Sequence, residues 1–70
     1  MNRAVIVDGT GIILDASVEL PQRFDRPIGR GEILVVGGRG YRIVEIIHDL
    51  EAANSYYVLR HTVINGLEQA

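Results

Sequence analysis

Residues 31–44 read Gly31-Glu32-Ile33-Leu34-Val35-Val36-Gly37-Gly38-Arg39-Gly40-Tyr41-Arg42-Ile43-Val44, and this stretch decides the fold class. Two runs rich in β-branched and aromatic residues flank a glycine cluster. Such runs suit a pleated, half-buried surface, and glycine supplies the positive φ of a tight hairpin turn. The stretch therefore predicts strands over 32–36 and 41–48, joined by a turn at 37–40.

Upstream, Ile12, Leu14, Ala16, Val18 and Leu20 are apolar at every second position, with Asp15, Ser17 and Glu19 between them. A period of two is the pattern of a strand with one buried face, and only Ile13 interrupts it. Residues 4–7 read as a shorter strand, and Asp8-Gly9-Thr10-Gly11 closes a first hairpin, with Asp-Gly expected to supply the positive φ. Downstream, 56–63 reads as a fifth strand. Residues 49–55 fit a helical turn or a loose loop, and 65–70 fit one helical turn or a frayed end. Between the hairpins, residues 21–31 hold two prolines and two glycines, which deny the segment regular structure. Its only large apolar residues, Phe24 and Ile28, either pin the loop to the core or meet a partner.

Seventy residues make a single domain over 1–70, and a chain this short buries a thin core. Five short strands, glycine-rich turns and hardly a helix give an all-β fold, a small barrel or a pair of packed sheets. The order of hairpin, long loop, tight hairpin and last strand resembles the SH3-like small barrels, so a five-stranded SH3-like barrel is expected. Residues 31–44 also look like a degenerate KOW motif, without its lysine after the turn and its second glycine before the closing strand. KOW motifs belong to ribosomal and transcription-elongation proteins, where they contact nucleic acid or protein, and the resemblance implies the shape of that hairpin here.

Cysteine is absent, which removes disulfides, thiol catalysis and the common zinc sites and favours a reducing compartment. No apolar run exceeds four residues, so neither a leader nor a membrane span is signalled and a cytoplasmic location is expected. The formal charge is −2, with seven arginines and no lysine. Five of the arginines, Arg23, Arg26, Arg30, Arg39 and Arg42, fall within residues 23–42 against only Asp25 and Glu32. Arginine suits planar recognition of carboxylate or phosphate, so this cluster is either a recognition patch or a solvated loop.

Catalytic and cofactor chemistry is not signalled. The Gly-x-Gly triplets at Gly9, Gly29 and Gly38 complete no nucleotide-binding loop and open no helix, and a phosphate loop of the Walker type needs a lysine. Charge matching sets Glu45 opposite Arg60 in the last hairpin, and with it His48 opposite Tyr57 and Val44 opposite His61. The two imidazoles then lie ~13 Å apart, too far to share a metal. Ser17 and Ser55 have no base placed by sequence. No enzyme activity, cofactor or metal is expected.

Residues 41–48 are apolar in both registers, with Tyr41, Ile43 and Ile47 on one side and Val44 and Ile46 on the other. A one-sided sheet alternates cleanly, so a second cover is implied, by the loop, the far barrel wall or another chain. Tyr56 and Tyr57 are adjacent and must point to opposite faces. The first functional reading is a non-catalytic module of the bacterial or phage accessory type. It docks onto a protein partner, a second copy included, through Arg23, Phe24, Arg26, Arg30, Arg39, Tyr41, Arg42, Tyr56 and Tyr57. A second is a nucleic-acid-binding barrel in which the arginines meet phosphates and Tyr41 or Phe24 stacks on a base. A third is a structural subunit of a larger assembly.

Overall fold

A computed structural model describes residues 1–64. Its strands are β1 (Asn2–Val7), β2 (Ile13–Asp15), β3 (Glu19–Leu20), β4 (Ile33–Val36), β5 (Arg39–Asp49) and β6 (Asn54–His61), and no helix occurs among the described residues. The expectation for 65–70 lies outside them. All six strands join one sheet in the order β2-β1-β6-β5-β4, with β3 also paired to β1. The sheet does not close: its end strands do not meet, and the expected five-stranded barrel is replaced by an open six-stranded sheet. Closure requires the terminal strands to tilt and pair. Here both are short, and the 21–32 loop lies over the face they would have to curl around.

The first hairpin forms as expected but in two pieces. β2 and β3 lie end to end along one edge of β1. The break comes from Asp15, whose Oδ1 accepts the Ser17 amide at 2.8 Å and the Ser17 hydroxyl at 2.6 Å, a local turn that competes with the ladder. The turn before β2 is organised by Asp8, whose Oδ1 accepts Thr10 N, Thr10 Oγ1 and Ile12 N at 2.8, 2.7 and 3.0 Å. Positive φ falls at Gly11, not at Gly9 as the Asp-Gly pair suggested.

The second hairpin turns on Gly37 and Gly38, both with positive φ, the signature of a two-residue type I′ connection. β5 then pairs with β6 through a bulge between Ile43 and Glu45. The bulge explains the two-faced apolar pattern. An extra residue reverses the alternation, so Tyr41, Ile43 and Ile46 all face the core although their spacing is not regular, while Ile47 turns away. The expected register is corrected accordingly: Arg60 stands opposite Arg42, Glu45 opposite Val58, His48 opposite Ser55 and His61 opposite Tyr41. Residues 50–53 form a turn, with Ala53 at positive φ.

β1 and β6 run parallel from Asn2↔Ser55 to Val7↔Arg60, which makes β6 a central strand. On it Leu59 and Tyr57 join Ala4, Tyr41 and Ile43 in the core cluster, and Val18, Leu20, Phe24, Ile28, Leu34 and Val36 pack around them. Ile12, Leu14 and Ala16 do not reach this core. Their alternation was that of a buried face, yet nothing packs above the outer end of the β1–β2 hairpin.

Candidate functional site

The sheet divides the arginine cluster. Arg23 and Arg26 sit on the 21–32 loop and, with Asn2, Phe24, Ile28 and Tyr57, line an open groove of about 550 Å³. Phe24, Asp25, Arg26 and Ile28 also border a smaller depression of about 210 Å³ beside Ile33 and Leu34. The apolar residues of the loop thus form a ridge between two hollows. Phe24 is held by an edge-on contact to Tyr57, with centroids 5.7 Å apart. Asn2 Nδ2 donates to the Pro21 carbonyl at 2.9 Å and so fixes the loop's entry.

Arg30 and Arg42 belong to the other side. Arg42 alternates with the core residues Tyr41 and Ile43 and so faces away from them, and Arg30 reaches Glu45 at 3.8 Å. Arg39 stands at the β4–β5 turn. Tyr41 and Tyr57 are only 8% exposed and contribute their rings to the core. Tyr56 is half-buried on the opposite face from Tyr57, and its hydroxyl accepts Asn54 Nδ2 at 3.4 Å. The nine candidate residues therefore do not converge on one surface. Among the described residues, Arg23, Arg26, Arg39 and Arg60 form no ion pair.

Two features escaped sequence reasoning. Ile12, Ile13 and Leu14 are 65%, 61% and 65% exposed, three consecutive large apolar side chains at the free edge of the sheet. Their one signal was Ile13 itself, since three apolar residues in a row cannot all face a one-sided core. The second is the His48–Ser55 pair, whose Nδ1 and Oγ share a hydrogen bond of 2.9 Å. The charge-matched register sets His48 opposite Tyr57, whereas the strands pair it with Ser55. Asp49 follows His48 in the strand and therefore points to the other face, where its Oδ1 accepts the Ala52 amide at 3.1 Å. The pair, exposed on adjacent strands, clips β5 to β6.

Among the described residues, Asp8 and Asp15 have shifted titrations. Asp8 is held below the ordinary aspartate range first by the Thr10 hydroxyl and then by the Ile12 and Thr10 amides, and Asp15 by the Ser17 hydroxyl and amide. In each case the donors favour the charged form. Among the described residues no group of three or more His, Asp or Glu side chains is placed to hold a metal. No helix among them is long and apolar enough to cross a membrane. Compared with known proteins, the chain matches no family model, no curated protein and no solved structure.

Proposed function

We propose that the chain is a non-catalytic docking module that joins a protein partner along the free edge of β2, the first such partner being a second copy of itself. The observation that carries this is the exposed Ile12-Ile13-Leu14 run, which leads into the edge strand β2. Edge strands in monomers are normally blunted by charge, proline or cover, because their outward N–H and C=O groups template further pairing. Here β2 presents exposed Ile13 and Leu14 beside the single charge of Asp15, and the opposite edge strand β4 reads Ile-Leu-Val-Val. A thin core adds weight, since a domain of this size gains stability by association. Strand addition supplies backbone hydrogen bonds, and the exposed side chains supply selectivity.

Ile13→Glu and Leu14→Glu test it. Both side chains are exposed already, so the folded monomer is expected to survive with an unchanged circular dichroism spectrum. Sedimentation velocity of the unaltered chain is expected to show a concentration-dependent mass that either variant abolishes. A chain that stays monomeric at every concentration, or variants that associate as before, would overturn the reading.

A second reading, nucleic-acid binding, is favoured by Arg23, Arg26 and Arg39, which have no acidic partner among the described residues. Oligonucleotide affinity that falls steeply between ~50 and ~200 mM salt supports it, because phosphate contacts release counterions. Against it stand the acidic total and the division of the arginines between two faces.

A further inference from the structure

Arg42 and Arg60 occupy directly opposed positions on neighbouring antiparallel strands. Side chains so placed share a face with Cβ atoms roughly 5 Å apart, and like charges there repel. The nearby acids do not pair with them: Glu45 stands opposite Val58 with its closest cation Arg30 at 3.8 Å, and Glu32 accepts the Gly29 amide. Neither Arg42 nor Arg60 has a carboxylate partner among the described residues. Such a pair is an incomplete arrangement that an anion would complete.

Two further features give it the form of a site. Arg42 Nη1 donates to the Gly31 carbonyl at 2.8 Å, which holds its guanidinium in place and leaves its other N–H groups for a ligand. The pair also borders a concavity of about 190 Å³ lined by Val44, His61 and Thr62. At roughly 30 Å³ per water, that space admits a tetrahedral oxyanion with part of its hydration.

We propose that Arg42 and Arg60 bind a phosphate dianion. Two guanidiniums carry the charge that a dianion neutralises, whereas one carboxylate is matched by a single bidentate fork. The ligand is free phosphate or the terminal phosphate of a nucleoside monophosphate, and the two forks serve both. This site is independent of the β2 edge.

The test is a titration of the ¹⁵N-labelled full chain at low ionic strength, reading the arginine Nε–Hε signals. Inorganic phosphate, adenosine monophosphate and acetate are compared at matched ionic strength. Phosphate is expected to give saturable shifts at Arg42 and Arg60, with acetate at least about tenfold weaker. Equal affinity for the nucleotide assigns recognition to the phosphate alone, and tighter binding assigns a nucleotide. Non-saturating shifts, an equal response to acetate, or shifts spread evenly over Arg23, Arg26 and Arg39 would overturn the proposal. Arg60→Gln removes the repulsion, so its melting temperature is expected to match or exceed that of the unaltered chain while its response to phosphate disappears. Arg60→Lys keeps the charge without the fork, and its affinity is expected to drop by about tenfold. Retention of full phosphate affinity by either variant would also overturn the assignment.

Discussion

Phe24 meets Tyr57 edge to face, with ring centroids 5.7 Å apart and planes at 74°, and this contact ties an irregular loop to the central strand of the sheet. Most of the loop's remaining surface is polar or exposed, so one half-buried ring carries much of its attachment. Phe24→Ala is expected to cost about 1–2 kcal/mol, below the loss at a fully buried phenylalanine. Urea unfolding measures the cost. Limited trypsin digestion measures the loosening, with faster cleavage after Arg23 and Arg30 expected; a cleavage rate unchanged from the parent would show that Ile28 alone suffices.

Acid should loosen the β1–β2 turn. Hydrogen bonds from Thr10 and Ile12 lower the Asp8 pKa in the folded chain, so the unfolded state binds the proton more readily. Stability from Asp8 is therefore fully present above the unfolded value near pH 4 and is lost as pH falls through the lower folded value. Asp15 acts with the same sign. Asp8→Ala is expected to flatten the dependence of the melting temperature on pH below about 4. An identical slope in variant and parent would mean that other carboxyls govern acid unfolding.

The register makes a prediction about charge. Glu45 faces Val58, and Arg60 faces Arg42. A double-mutant cycle on Glu45→Ala and Arg60→Ala is expected to be additive within ~0.5 kcal/mol. Coupling beyond that would place the two strands two residues out of the described pairing. The Arg30–Glu45 pair is exposed and loose at 3.8 Å, and its own cycle is expected to give no more than ~0.5 kcal/mol.

Glycine is required in the β4–β5 turn for its conformation rather than its size. A Cβ at Gly37 or Gly38 would meet nothing within 4 Å, but both carry positive φ. Gly37→Asn is expected to be nearly neutral, since Asn-Gly is the favoured type I′ pair. Gly38→Val is expected to cost about 1–2 kcal/mol, because a β-branched residue resists that region. Equal stability of the two variants in urea would argue that the turn has another geometry.

Much of the local structure is legible in particular residues. The β4–β5 hairpin follows from Gly37 and Gly38 between two apolar runs, and the opposed tyrosines at 56 and 57 follow from the strand period. The bulge at Val44 was visible only as a conflict, an apolar pattern that fitted neither face. The exposed edge at Ile12–Leu14 was harder to see: alternation shows which side chains share a face, not whether anything covers it. The arginines misled for a related reason. Neighbours in sequence were read as neighbours in space, while a sheet sends successive elements to different sides.

By itself the sequence determined the properties that depend on a few adjacent residues: the all-β class, the two hairpins, the irregular loop and the absence of cysteine chemistry. These rest on side-chain period, φ requirements and residue type, all of which act over a handful of bonds. Only the tertiary structure decided that β1 lies parallel to β6, that the sheet stays open, and that Arg42 faces Arg60. Those outcomes depend on which distant strands bury the most apolar surface together, with Ala4 and Tyr57 or Ile43 and Leu59 meeting across long separations in the chain. Burial of that kind is a property of the whole packed chain, and no local pattern encodes it.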